Sequence, residues 1–274
     1  MLKDLILSTQ HCDNQLAIFY LGQEGILFKY NGKYVLVDGY LSDYVDQNCC
    51  SENVKWVRKY APPIKPQELD FVDYIFCTHS HFDHTDPWTL SEINKVNKTA
   101  KYIASAAFSD ILTEYGIEKD RIIPAFADKE IVFDEIKAMP VPAAHEQLNI
   151  DESGNFCELG FLLTFGNIKA FHAGDCCVYD GLCERINGTD IAFLPINGRD
   201  YFRLNNDIIG NMDSREAVLL AKAAGIDVVV PMHFDLYEVN EVNPAHFVDT
   251  LYVLNSCQKF HIFMPGERFI YHKS

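Results

Sequence analysis

Three histidines and an aspartate crowd into six residues, His79-Ser80-His81-Phe82-Asp83-His84. Imidazole with carboxylate suits zinc, and also manganese or iron once oxygen ligands are added. On an extended chain, residues i and i+2 project to the same side, so His79 and His81 can grip one cation. If the chain then bends, Asp83 and His84 can face a second cation beside the first. Asp86-Pro87 suits a helix start directly afterwards, which would set that bend. A surface cluster or a lone metal clip could use the same residues, but a strand leading in and a helix leading out argue for a built site.

Two four-coordinate cations sharing one ligand need about seven donors, so further ligands must come from elsewhere. His145 follows Val141-Pro142-Ala143-Ala144 at the mouth of a strand. Asp175 closes another strand through Ala173-Gly174, where the glycine lets the backbone approach the metals. His233 follows Val228–Met232, again just past an apolar strand. Each alone could be a cap or turn residue; together, in this order, they read as a strand-end site.

The elements that must carry these residues follow from periodicity. Leu16–Leu21, Gly25–Tyr30 and Tyr34–Asp38 read as a meander whose second turn is the Asn31-Gly32 hairpin. Residues 41–70, polar and holding Pro62, Pro63 and Pro66, read as a long ordered loop or short helix of the kind that caps sites. Val72–Cys77 is a strand that runs into the histidine cluster. Trp88–Val96 and Ala104–Tyr115 suit helices on either side of a strand at 101–104. Residues 121–142 suggest short strands, Leu159–Phe165 and Ile168–Ala173 a hairpin, and Ile191–Pro195 a strand. Ser214–Ala224 is a helix with Asp213 or Ser214 as N-cap and Gly225 as its stop. Pro244–Leu254 suits a helix, and Phe260–Tyr271 a closing pair of strands. No repeat or linker-like shift breaks the chain, so residues 1–274 read as one domain.

Charge and composition narrow the partners. The balance is 23 − 39 = −16, which repels phosphate backbones and argues against nucleic acid. No apolar run reaches the roughly 18–20 residues of a membrane span. Met1–Ser8 is poor material for a signal peptide, and nine cysteines without a regular framework read as free thiols. The cytoplasm is the expected compartment.

In order and spacing, the His79–His84 cluster, His145, Ala173-Gly174-Asp175 and His233 resemble the metallo-β-lactamase superfamily. Within it, Leu21-Gly22-Gln23-Glu24-Gly25-Ile26, Val37-Asp38-Gly39, His172–Asp175 and Val230–Asp235 resemble the L-ascorbate-6-phosphate lactonase-like branch. The resemblance implies an α+β fold, a four-layer αββα sandwich with the metal site at the edge between two mixed β-sheets. It implies two divalent cations, zinc or manganese ahead of iron. His79, His81 and His145 would hold the first, Asp83, His84 and His233 the second, with Asp175 bridging.

A water between two such cations can lose a proton near neutral pH and attack an ester, lactone or phosphoryl centre. The activity implied is hydrolysis of a small ester or lactone, sugar-phosphate lactones first; the alternative is a phosphodiesterase of the phospholipase D-like kind. Asp83 would orient the nucleophile and accept its proton, and Asp235 would be a supporting carboxylate or proton relay. Asn197, Arg199, Tyr201 and Arg203 follow a strand on the side that would overhang the metals. Paired guanidinium groups there would suit a phosphate or carboxylate. His172 reads as strand packing, and Cys176-Cys177 as buried packing rather than a redox pair. The partners expected are a small-molecule substrate and a second copy of the chain, with neither nucleic acid nor membrane.

Overall fold

The computed structural model describes residues 1–12 and 14–273. Helix α1 (Leu2–Ser8) precedes β1 (Gln15–Gly22), β2 (Gly25–Tyr30) and β3 (Lys33–Val37). Helix α2 (Tyr44–Asn48) lies in the long loop before β4 (Tyr74–Cys77), which is followed by α3 (Pro87–Val96), β5 (Lys101–Ser105) and β6 (Ile122–Ala125). Strands β7 (Ile131–Phe133), β8 (Ile136–Pro142), β9 (Leu159–Phe165) and β10 (Ile168–His172) come next. Helix α4 (Leu182–Arg185), β11 (Ile191–Pro195), α5 (Tyr201–Asn205), α6 (Ser214–Ala223) and β12 (Val228–Met232) continue the chain. Helix α7 (Ala245–Leu254), β13 (Lys259–Phe260) and β14 (Arg268–His272) end it.

Two mixed sheets result, in the orders β14-β1-β2-β3-β4-β5-β6 and β13-β12-β11-β10-β9-β8-β7. In the first, hairpins join β1, β2 and β3, β14 adds antiparallel to β1 from the far end of the chain, and crossovers make β3 to β6 parallel. The second repeats the plan: β10 to β13 run parallel, while β7 to β10 are antiparallel.

Strand β1 shows why the layers stack. Its Leu16, Ile18 and Tyr20 join the core between the sheets, while Ala17, Phe19 and Leu21 join a second core under α1 and α3. Both faces are therefore dry, as expected where helices cover a sheet's far side. Between the sheets, Phe28 meets Phe165 at 5.3 Å and Phe193 at 5.6 Å, and Phe76 meets Phe161 at 4.9 Å. Each such side chain, fully buried, stabilises the fold by about 1.5–3 kcal/mol. Helices α6 and α7 close the other side with Ala217, Val218, Phe247 and Leu251. The four-layer αββα sandwich is the observed architecture.

Two local expectations change. The segment after β5 does not continue as a helix: it turns and forms a short 3-10 segment at Ser109–Thr113. The Ala106 amide instead bonds the Ala125 carbonyl beside β6, which draws the chain along the sheet edge. The two last strands do not pair with each other. β13 adds to β12 and β14 to β1, so the C-terminal segment spans from one sheet to the other.

Candidate metal centre

Strands β8 and β10 both lie antiparallel to β9, and β10 runs parallel with β11 and β12. The C-terminal ends of β8, β10 and β12 therefore share one edge of their sheet. There His145, Asp175 and His233 leave the strands. The Leu159 amide bonds the Thr78 carbonyl at 3.0 Å and draws the end of β4 to the same edge. Asp86 accepts from the Trp88 amide at 3.0 Å with Pro87 behind it, so α3 begins where the histidine run must turn.

All seven side chains converge. His79, His81, His145 and Asp175 form one group of ligand atoms and Asp83, His84 and His233 another, each within 4.8 Å. Asp175 lies between them. Its Oδ2 stands 3.3 Å from His145 Nε2, 3.8 Å from His79 Nε2 and 3.6 Å from His84 Nε2. Its Oδ1 stands 3.3 Å from His233 Nε2. Asp83 Oδ2 lies 3.6 Å from His84 Nε2 and 3.5 Å from His233 Nε2.

These separations suit a shared cation. Two donors on one tetrahedral ion at about 2.0–2.1 Å stand about 3.3–3.4 Å apart. His79 Nε2 and His84 Nε2 are moreover buried without a hydrogen-bond partner, which an unligated imidazole rarely tolerates. The residues fit divalent metal.

Asp38, which carries no role in the sequence pattern, orients the set. Its Oδ2 accepts from His84 Nδ1 at 2.8 Å and from the Thr78 hydroxyl at 2.6 Å, while Oδ1 accepts from the Thr78 amide at 2.9 Å. Thr78 Oγ1 in turn lies 3.0 Å from His79 Nδ1, which donates to it. Both rings thereby hold a proton on Nδ1, which leaves Nε2 as the atom that can turn a lone pair to a bound cation. Asn211, equally silent in the sequence, donates to Asp175 Oδ1 at 2.8 Å and to Asn197 Oδ1 at 3.0 Å. Gln23 Nε2 donates to Asp83 Oδ2 at 2.9 Å and lies 3.1 Å from His233 Nε2.

Backbone strain gathers here. Gln23, Asp38 and His233 hold φ of 58°, 47° and 59°, positions that non-glycine residues seldom adopt. Gly174 sits at φ 60°, and a Cβ there would stand 2.8 Å from the Thr78 Cβ. The glycine thus permits close approach to Thr78, the residue before His79. Asp38-Gly39 after β3 and Gln23 in the first turn are visible in the sequence, but only geometry shows their partners.

Electrostatics divide the imidazoles. Burial, helped by neighbouring histidines, pulls His79 well below its usual range, and burial likewise lowers His81 and brings His145 to about 4. Burial also pulls on His84 and His233, but Asp83 and Asp175 outweigh it; His84 rises well above its usual value and His233 to about 9. Burial alone would raise Asp83 and Asp175, yet the same two imidazoles hold both carboxylates below their usual range.

Other expected residues lie elsewhere. Asp235 is held by the Tyr20 hydroxyl at 3.3 Å, and burial raises its pKa. Arg199 points to Glu216 at 2.6 and 2.8 Å and to the Asn211 carbonyl at 2.9 Å. Arg203 donates to Asn240 at 2.7 Å and Asp200 at 2.5 Å, and Tyr201 is 82% exposed. Asn197, Arg199 and Arg203 line a separate hollow with Arg215 and His246. None of these four side chains lines the cavity over the ligands. Both guanidinium groups are taken up by other partners, Arg199 by Glu216 on α6 and the Asn211 carbonyl, Arg203 by Asp200 and Asn240.

His172 packs in β10 with both nitrogens engaged, on the Glu24 carbonyl at 2.8 Å and the Gly174 amide at 3.2 Å. That removes it as a ligand beside Glu24 and Asp38. Glu24 is buried with no hydrogen bond to its carboxyl, His84 Nδ1 lying 3.7 Å away, and burial followed by Asp175 pushes it well above the usual range. Cys176 and Cys177 are buried free thiols; burial pushes Cys176 up to about 12.

The sandwich and the ligand set at its edge define a metallo-β-lactamase-fold protein. Residues 34–234 match the family model described as a beta-lactamase superfamily domain, and the chain belongs to that family. It is 28% identical to a UPF0173 metal-dependent hydrolase of Sulfolobus acidocaldarius, covering 84% of this chain and 88% of that one. Among solved structures, an isothiocyanate hydrolase from Delia radicum gut bacteria aligns with a TM-score of 0.72 at 17% identity, covering 94% and 100% of the two chains. A metallo hydrolase from Ignicoccus hospitalis aligns with a TM-score of 0.67 at 20% identity, covering 95% and 100%.

Proposed function

We propose that the chain is a metal-dependent hydrolase that binds two divalent cations, zinc or manganese, and cleaves a small ester or lactone. His79, His81 and His145 would hold the first cation, Asp83, His84 and His233 the second, and Asp175 both. The observation that carries this reading is Asp175: its two oxygens stand 3.3 Å from His145 and from His233, one from each group. Cations bound there supply a Lewis acid for the scissile oxygen and an acidified water. Asp83, on the cavity wall, is placed to orient the nucleophile and take its proton. Asp38 and Thr78 keep the His84 and His79 lone pairs on the centre, and Asn211 steadies Asp175. The metal-dependent hydrolase names of relatives point the same way. The sugar-phosphate version has less support, because Arg199 and Arg203 are bound to other side chains.

Elemental analysis of purified protein should give about two cations per chain, and a pH-indicator screen should find turnover of lactones or esters. Asp175→Asn should abolish turnover and lower metal content; retention of both removes Asp175 from the bridge. Turnover confined to chromogenic phosphodiesters would replace the ester reading with the phosphodiesterase one.

A further inference from the structure

His81, Asp83, His145, Asp175 and His233 open into a cavity of about 220 Å³. The rest of its lining is mostly apolar: Val45, Trp56, Phe82, Ile208, Ile209 and Tyr237. Tyr237 brings only its ring, since its hydroxyl bonds the Tyr40 hydroxyl at 2.7 Å. Trp56 packs edge-on against that ring at 5.3 Å. Among the described residues, no lysine or arginine lines the cavity. Arg58, from the same loop as Trp56, is turned to the Ser42 and Tyr40 carbonyls and stacks 4.6 Å over the Tyr40 ring. The remaining polar lining is Cys49, Asp207 and Asn240, and Asn240 Oδ1 already accepts from Arg203.

We infer that the substrate is a small uncharged ester or lactone bearing an alkyl or aryl group, selected by Trp56, Phe82 and Ile209. The inference rests on the hydrolase reading above and names its substrate class. The acyl C–O bond and one water O–H bond break as a C–OH and an alcohol O–H form, giving an acid and an alcohol from an ester or one hydroxy acid from a lactone, and the apolar group stays in the cavity throughout. A phosphorylated sugar finds no counter-charge outside the ligand set and meets the Asp207 carboxylate. An apolar group instead leaves water, worth about fourfold in affinity per buried methylene.

The test pairs kinetics with binding on the metal-loaded protein. γ-Lactones with side chains from methyl to butyl should gain about fourfold in kcat/KM per methylene. A 6-phosphorylated sugar lactone should be at least 100-fold poorer than the butyl compound. Straight-chain 2-alkanones, which cannot be hydrolysed, should show the same length dependence in Kd, read from Trp56 fluorescence in a Trp88→Phe background. Trp56→Ala, followed by kinetics alone, and the surface-compatible Ile209→Ser should each at least halve the kinetic slope. Absence of length dependence in both series, or preference for the phosphorylated lactone, overturns the inference. Length-dependent ketone binding without turnover of any ester or lactone upholds the cavity's preference and removes the ester-or-lactone reading.

Discussion

Replacing Asp38 with asparagine probes the centre without touching a ligand. The amide side chain keeps an oxygen for the Thr78 amide, now 2.9 Å away, but puts an NH2 where Oδ2 accepts from His84 Nδ1 at 2.8 Å. Two donors would then face each other, so the His84 proton must move to Nε2, the atom aimed at the cation. Asparagine tolerates the φ of 47° held by Asp38, so backbone strain does not confound the comparison. Loss of such a supporting carboxylate costs about 10–100-fold in metal affinity, or about 1.4–2.7 kcal/mol. The loss should fall on the Asp83, His84 and His233 position. His79 can still donate to the Thr78 hydroxyl, so the other position should weaken less. Calorimetric titration of zinc into metal-free Asp38→Asn protein should show one phase weakened and one nearly retained. Wild-type affinity in both phases, with the metal-free protein melting as wild type, would refute the role given to Asp38.

Three further outcomes follow from particular contacts. Arg199→Ala should lower the melting temperature by about 2–4 °C, from loss of about 1 kcal/mol with Glu216, and leave KM for neutral and phosphorylated lactones in the same ratio. A selective rise in KM for the phosphorylated compound would return Arg199 to substrate binding. Gly174→Ala, forced to φ 60° and against Thr78, should destabilise by about 1–3 kcal/mol and reduce bound metal; a wild-type melt and metal content would contradict that. Without cations, the charge on His233 contributes stability that is full below about pH 6.5 and lost as pH rises through about 9. Loading zinc at pH 7 should therefore displace the Nε2 protons of His84 and His233 as well as any proton given up by a cation-bound water, read by an indicator dye in weak buffer, and release of no more than the water's one proton would exclude their charged state.

What can be read in advance follows from distance along the chain. The His79–His84 run carries its own geometry, and His145, Asp175 and His233 betray themselves by following apolar strands. Asn211 gives no such signal, and Asp38 stands in a recognisable Val37-Asp38-Gly39 stretch without showing its role, because their partners lie 36 and 40 residues away. The arginines mislead for the same reason: Glu216 lies 17 residues beyond Arg199, on α6. Strand β14 cannot be assigned a neighbour from its residues, since β1 is buried on both faces and offers no alternation to match. After β5, apolar spacing suits a helix, but pairing with β6 wins over propensity.

Each ligand group takes residues from both sheets: His79 and His81 meet His145 and Asp175, and Asp83 and His84 meet His233. A bound cation is therefore a rivet through the seam where the halves of the molecule abut. Stripping it should unfasten that seam before it loosens either half. Faster deuterium uptake at the Leu159 amide, which bridges the seam to Thr78, would mark the breach; unchanged uptake there would mean that the halves cling together without the rivet.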